Sequence, residues 1–349
     1  MRRFARVAGR VGEAALVVLA LATLVFLALR ILPGDPAALV LGDQASEAER
    51  AAINAKLHLD EPMWMQYARF IGGLATLDLG DSVRRPGVSA VARVLDAVGP
   101  TASLAAIAVV LGAVLGVGAS VLGAGPWLGS RRGWIDRAAT ALAATPLLAF
   151  APVLTYALAA RLRVVPLPGD PEAGAAGLLF ASGLLSLPLA AHVARVSRAA
   201  LDDLGRAQFL GVARAKGASH ARVLWMHALP AAIGPIVTVL GTQLGALLGG
   251  AVVLERLFER RGLGTLILEA YASRDLPVLE AAVVFSGALF VGAQQLVGGS
   301  RCSRPACEVL GDAALTCRPR RRAGGSARGD AGRHDGRSVR LAFADAPRP

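Results

Sequence analysis

Six segments of this sequence lack Asp, Glu, Lys and Arg altogether: Ala14–Leu29, Ala102–Leu122, Ala138–Ala160, Ala175–Ala191, Ala231–Leu254 and Ala281–Val297. A helix of about 20 apolar residues crosses the hydrocarbon core of a bilayer. A charge at the centre of such a helix costs about 2.5–3.5 kcal/mol on insertion scales, so lipid demands segments emptied of charge. One such segment alone would also suit a buried helix of a water-soluble protein. Six in series, each bounded by charge, do not. The fold class that follows is an all-α polytopic membrane protein with six transmembrane helices. The composition agrees, with 54% hydrophobic but only 5% aromatic residues. That much Ala, Leu and Val suits long helices in lipid better than a packed aqueous core.

The positive charge sets a direction. The net charge is +12, and Lys occurs only at Lys56 and Lys216, so Arg carries nearly all of it. Arg2, Arg3, Arg6 and Arg10 precede the first span. Arg131, Arg132 and Arg137 lie between the second and third, and Arg195, Arg198, Arg206, Arg214, Lys216 and Arg222 between the fourth and fifth. After the third span there are only Arg161 and Arg163. After the fifth, the arginines are offset by Glu255, Glu259, Glu269 and Asp275. The positive-inside rule then places both termini in the cytoplasm. Basic residues that flank apolar spans also argue for membrane lipid, and against nucleic acid, as what this charge meets. The first span has the basic lead of a signal peptide. Its apolar run is long, however, and ends in Arg30-Ile31-Leu32-Pro33 without a small-residue cleavage site, so a retained helix is expected.

Pro146 and Pro152 in the third span, Pro188 in the fourth and Pro235 in the fifth kink their helices, shaping either packing or a path through the bundle. Gly241, Gly245 and Gly249, with Gln243 among them and Gly250 beside them, make the fifth span a candidate subunit interface or pore wall, because glycine permits close helix approach.

Residues 33–100 are too polar for lipid and read as a small helical insertion on the outer face. Ser46 and Glu49 form a capping box for a helix running towards His58. Asp60 and Pro62 read as the N-cap and first turn of a second helix, whose apolar face would be Trp64, Tyr67, Ile71 and Leu74. Such an insertion caps a pore mouth or docks a solute-binding protein.

Between the fourth and fifth spans lies the basic stretch Val212–Pro230. Small Ala213 and Ala215 allow a helix to enter a groove on a partner. Gly217 permits a sharp turn at positive φ, and Pro230 suits the first turn of the next helix. The Val223, Leu224, Trp225 and Met226 run is placed to anchor this loop on the bundle. Switching a two-state pore from 1:99 to 99:1 takes about 5.5 kcal/mol. Exposed ion pairs contribute about 0.2–1 kcal/mol each. Arg214 and Lys216 are therefore insufficient, and an apolar docking surface that includes Val212, Ala213 and Ala215 is expected to carry most of the force.

The sequence contains no GxxxxGK[ST] phosphate-binding loop, and no span carries a carboxylate for ion coupling. No cofactor or metal is expected on this chain. Its three cysteines, Cys302, Cys307 and Cys317, lack zinc-ligand spacing. Energy for transport must come from a separate protein, or the chain is a passive channel or uncoupled facilitator. Ser182 and Ser186 near His192 are the one hint of an intramembrane hydrolase, and adjacency in sequence is poor evidence for a catalytic pair.

Several motifs point the same way. Arg30-Ile31-Leu32-Pro33-Gly34-Asp35-Pro36 resembles the LLPGDP stretch after the first helix of the dipeptide, oligopeptide and nickel permeases of ATP-binding-cassette importers. The resemblance continues through Leu59-Asp60-Glu61-Pro62, Gln66-Tyr67, Leu77-Asp78-Leu79-Gly80 with Ser82, Gly241-Thr242-Gln243-Leu244-Gly245, Gly262-Leu263-Gly264, and Arg274-Asp275 with Pro277. It covers about residues 1–297 and is to the first of that family's two homologous permease subunits. It implies the importer permease (MetI-like) fold, with residues 1–32 as cytoplasmic arm and first helix, 33–100 as the insertion and 101–297 as the permease core. It also implies four further subunits: a second homologous permease, two ATP-binding subunits that use the ATP, and an extracytoplasmic solute-binding protein. The setting would be the plasma membrane of a bacterium or archaeon. The importer-wide loop pattern (E-A-A, three residues, Gly, nine residues, I-x-L-P) falls on Gly211-Val212-Ala213, Gly217 and His227-Ala228-Leu229-Pro230. Gly211 and His227 depart from it, and Ala213-Arg214-Ala215-Lys216-Gly217 matches the peptide-permease variant. The resemblance makes residues 211–230 the ATPase-coupling loop.

From Gly298 onward the resemblance stops. Residues 298–349 are rich in Arg, Gly and Ala and contain every cysteine. Such a sequence buries too little surface to offset chain entropy. A basic tail attracted to anionic lipid and a frameshift in a GC-rich gene both account for it. The coincidence of the first cysteine with the loss of resemblance favours the frameshift, which would slightly shorten the sixth span.

Overall fold

Charge-free segments lie within long helices, and glycine and proline mark several of their ends. The computed structural model describes residues 2–31, 46–56, 58–124, 132–205 and 207–301. The expectations about residues 302–349 lie outside them. The helices are α1 (Arg2–Ile31), α2 (Glu47–Lys56), α3 (Met63–Thr76), α4 (Ala90–Ala124), α5 (Arg132–Ala144), α6 (Leu147–Thr155), α7 (Gly174–Leu204), α8 (Gln208–Ala215), α9 (His220–Val223), α10 (Leu229–Leu257), α11 (Leu263–Ala272) and α12 (Leu276–Arg301). Among the described residues, five stretches are long and apolar enough to cross a bilayer, within α1, α4, α7, the α9–α10 run and α12, and a sixth exists if α5 and α6 are taken as one span.

The third span is not the single kinked helix expected over Ala138–Ala160. It breaks at Thr145-Pro146, and the two arms bend by 107°. Proline lacks an amide hydrogen and disfavours helix in the residue before it, so Pro146 ends α5 and starts α6. The second arm finishes in a π-helical turn, Tyr156–Arg161. The fourth span also differs. It was expected to end at Ala191 with Arg195 and Arg198 in a loop, yet α7 runs unbroken to Leu204. At a rise of about 1.5 Å per residue, its 31 residues reach well past the roughly 30 Å hydrocarbon core.

The main core joins α4, α7 and α10 through Leu104, Ala108, Leu185, Leu189, Val193, Leu247 and Leu254. Helices α4 and α7 approach closely because Gly112 and Gly116 lie one helical turn apart on α4. A Cβ on Gly112 would stand 2.6 Å from Leu189 Cδ2, and one on Gly116 would stand 2.6 Å from both Val193 Cβ and the Ala190 carbonyl oxygen. This small-xxx-small spacing is a recognised device of membrane helix pairs. A second cluster packs α11 on α4 and α12, through Leu263, Leu266, Val94 and Val278. Large apolar side chains on other faces, including Leu16, Leu24, Val110 and Val114, remain exposed, as expected of surfaces that meet lipid or another subunit.

In the insertion, α2 spans the expected stretch. The second helix starts later than expected: its N-cap is Pro62, with no side-chain cap, in place of Asp60. Its inward face is Tyr67, Phe70, Ile71 and Leu74, packed on Ala22 and Phe26 of α1. Trp64, expected on that face, is exposed. Phe26 stacks on Phe70 with centroids 5.5 Å apart and meets Tyr67 edge-on at 5.3 Å. Tyr67 Oη and Thr23 Oγ1 share a hydrogen bond of 2.8 Å. The insertion therefore lies against the side of α1.

Candidate transport machinery

The residues expected to form a coupling loop lie in a helix–turn–helix. Helix α8 closes with Lys216 N–H donating to Val212 O (3.0 Å), Gly217 N–H to Arg214 O (2.9 Å) and Ala218 N–H to Ala213 O (3.1 Å). Gly217 has φ +81°, the left-handed conformation its lack of a Cβ allows. Ser219 then caps α9, its Oγ accepting the Arg222 N–H at 3.3 Å. A π-helical turn over Leu224–Ala228 leads into α10, with Pro230 in its first turn. His227 is exposed, its Nδ1 3.5 Å from Arg222 O, and Leu229 is half-buried.

Helix α8 has two apolar faces. Leu210 and Ala213 point inward and join the main core together with Val223, Leu224 and Ala228. Phe209 and Val212 point outward, with Gly211, Arg214, Ala215 and Lys216 also exposed. The expected docking surface is thus corrected at Ala213, which is spent on the chain's own core. Phe209, three residues before Val212, is exposed as well, a spacing that was visible in the sequence. Of the expected anchoring run, Val223 and Leu224 are buried, whereas Trp225 and Met226 are 57% and 69% exposed. Beneath the loop lies a cleft of about 130 Å³ lined by Asp202, Arg214 and His220. Asp202 also holds the otherwise buried Arg198, with Nε to Oδ2 at 3.0 Å.

The glycine face of α10 divides. Gly241 is buried, and Gly245 lets Phe290 of α12 approach: a Cβ there would be 3.3 Å from the ring. Gln243 and Gly249 instead line an apolar cavity of about 350 Å³ with Pro146 and Leu147 at the α5–α6 break and Pro188 on α7. Sequence reasoning named these prolines and this helix separately, and the structure brings them to one wall. Gln243 is the single polar side chain in that lining.

Two acidic residues read as loop charges, Glu255 and Asp275, are instead buried clasps at the other end of the bundle, and Glu280 is a third. Glu255, at the end of α10, is 1% exposed. It accepts from Thr101 Oγ1 of α4 at 2.5 Å and from Thr265 N–H at 3.1 Å, while Thr101 Oγ1 accepts Leu263 N–H at 2.8 Å. Gly262 at the N-cap of α11 has no side chain to offer, and Glu255 takes that role. Asp275 is fully buried before α12 and accepts from Ser82 Oγ, from Val83 N–H at 3.1 Å and from Arg93 Nη1 at 3.2 Å. Glu280 on α12 pairs with Arg30 at the end of α1, whose guanidinium lies 4.0 Å above the Phe26 ring. These clasps tie the insertion, α1 and α12 to the helical core. Ser82, Gly262 and Asp275 were visible as motif residues without any role. Burial of their partners depends on contacts between segments distant in sequence.

Residues 108–296 match the family described as binding-protein-dependent transport system inner membrane component, and residues 1–84 match its N-terminal region. The chain belongs to this family of importer permeases. A relative of Brucella abortus (strain 2308), named as a peptide transport system permease, is 33% identical over 301 residues, covering 82% of this chain and 93% of that protein. The glutathione transport system permease GsiC of Salmonella paratyphi A is 34% identical over 279 residues, covering 78% and 88%. Among solved structures, an amino acid ABC transporter crystallised with histidines aligns to 60% of this chain and 92% of its own, at 18% identity and a TM-score of 0.46. The protein is therefore a multi-pass membrane permease of an ATP-binding-cassette importer, a class that works with ATPase and substrate-binding partners. The resemblance drawn from the motifs agrees with these matches. The importer fold stands over the passive channel.

Proposed function

We propose that this permease forms half of a translocation path for short peptides, paired with a second homologous permease and driven by two ATP-binding subunits that dock on residues 208–230. Both termini and this loop face the cytoplasm, and the clasped end faces an external solute-binding protein. ATP acts only on the partner subunits. The observation that carries the docking assignment is the outward apolar pair Phe209 and Val212 beside the Gly217 turn. Burying two such side chains against a partner contributes about 1.5–3 kcal/mol each, the magnitude that switching a pore requires. Peptide cargo is supported by the names of the relatives. A hydrolase role has little support. Ser186 Oγ donates to Gly183 O of its own helix at 2.7 Å, and among the described residues no hydrogen bond joins Ser182 or Ser186 to His192. The reading is tested by peptide uptake into proteoliposomes carrying the permease with its ATPases, a second permease and the binding protein. Uptake should require ATP and stop with Val212→Asp. Uptake that persists without ATP would overturn the reading.

A further inference from the structure

Gln243 is the middle residue of α10 (Leu229–Leu257), deep within a membrane-spanning segment. It is half-buried, and its carboxamide makes no hydrogen bond among the described residues. A carboxamide carries two donors on nitrogen and an acceptor oxygen. Leaving these unpaired away from water is unfavourable, and polar side chains at such depth are characteristic of functional sites. The wall around it is apolar. Leu147 beside the α5–α6 break, Leu185 and Leu189 on α7, and Leu247 and Val253 on α10 enclose about 350 Å³ with it. Two neighbouring glycines shape this space in different ways. A Cβ on Gly250 would stand 2.9 Å from Leu185 Cδ1 and 3.0 Å from Leu147 Cδ2, so Gly250 lets the wall close. A Cβ on Gly249 would meet nothing within 4 Å, so Gly249 leaves the cavity open.

The lining decides between occupants. A lipid acyl chain fills apolar space but offers the amide nothing. A helix of a second permease, about 10–12 Å across, is wider than this space. A peptide residue offers both things at once: an apolar side chain for the leucines, and a backbone N–H and C=O, the donor and acceptor that a carboxamide matches. The volume falls near the lower end of the roughly 300–1,000 Å³ typical of small-ligand sites. We propose that this cavity receives an apolar side chain of the passing peptide, and that Gln243 holds the adjoining backbone amide group. The assignment deepens the peptide reading above and rests on it. No charged side chain belongs to that lining. A charged cargo side chain placed there would lose its water without gaining a partner, so the cavity favours apolar residues at that position of the cargo.

The test compares uptake of Ala-Leu-Ala and of trialanine, each at saturating concentration, into proteoliposomes carrying the complete importer with its binding protein. The binding protein is the same throughout, so a change between variants reports on the permease. Gln243→Leu removes the amide and keeps the bulk. It should lower uptake of both peptides about tenfold, the equivalent of two lost hydrogen bonds. Its melting temperature should hold or rise, because the amide has no partner to lose. Gly249→Leu projects into the open cavity. It should lower Ala-Leu-Ala uptake at least about tenfold and leave trialanine within about twofold of wild type. A lower melting temperature with Gln243→Leu gives the amide a structural role and overturns the proposal. Loss of the second permease from the purified Gly249→Leu complex makes this face a subunit contact and overturns it too. Wild-type uptake that neither substitution changes refutes the site and leaves the peptide reading standing. A wild-type importer that takes up neither peptide refutes the peptide reading, and the side-chain site with it.

Discussion

Replacing Gly262 by Ala adds one methyl group at a backbone of φ −101° and ψ −177°, which any residue adopts. No backbone strain is involved, so the whole effect falls on what the methyl meets. It would overlap Oε1 and Cδ of Glu255 and lie 2.5 Å from Oε2. The Glu255 side chain must leave, and it forfeits the bonds from Thr101 Oγ1 and Thr265 N–H. Hydrogen bonds to a charged group contribute about 1.5–3 kcal/mol each. The smaller freedom of an unfolded Ala returns about 0.4–1 kcal/mol. A net loss of about 2–5 kcal/mol follows. The assay is equilibrium unfolding in mixed micelles, with Gly249→Ala as control, because nothing lies within 4 Å of a Cβ there. The control should be neutral or slightly stabilising. In a Glu255→Ala background, Gly262→Ala should cost less than about 1 kcal/mol, because its collision partner is gone. A Gly262→Ala variant within about 1 kcal/mol of wild type, or additive with Glu255→Ala, refutes the reasoning.

Asp275→Ala leaves Arg93 (side chain 15% exposed) without its partner and should cost about 3–5 kcal/mol in the same unfolding assay. Val212→Asp should abolish ATPase association, read by co-purification, while the melting temperature holds. Ala213→Asp should lower the melting temperature instead, because Ala213 is 9% exposed within the chain's own core. A cysteine replacing Lys216 should react with a membrane-impermeant maleimide only after the cells are permeabilised. Sequencing the gene across residues 298–349 should reveal a frame change near Gly298, and an intact frame would remove that account of the tail.

The spans were legible because lipid leaves a compositional mark on every residue of a crossing helix. The break at Pro146 was not, since a proline in an apolar run is compatible with a kink or a stop, and only the packing of α6 against its neighbours decides. The turn at Gly217 and the place of Pro230 in the first turn of α10 followed from local backbone rules and needed no tertiary information. Ala213 turns inward and Phe209 outward, which was not legible because a helix of eight residues with apolar side chains on both faces does not announce which face is buried. Glu255, Asp275 and Glu280 flank spans, where exposed charges are ordinary. Their burial is created by Thr101, Arg93 and Arg30, which lie 154, 182 and 250 residues away. Gly112 and Gly116 had the right spacing, but among 40 glycines the spacing alone did not single them out.

The Arg30–Glu280 clasp imposes an order on biogenesis. At about 5–20 residues per second, a ribosome needs roughly 10–50 seconds to extend the nascent polypeptide from one member of this pair to the other. Throughout that interval the guanidinium at the end of the first helix waits at the membrane surface without its carboxylate. Premature termination anywhere before residue 280 strands it there permanently. Quality-control proteases that survey the bilayer would thus encounter an unfinished permease marked at its N-terminal helix, however well the intervening helices had already assembled.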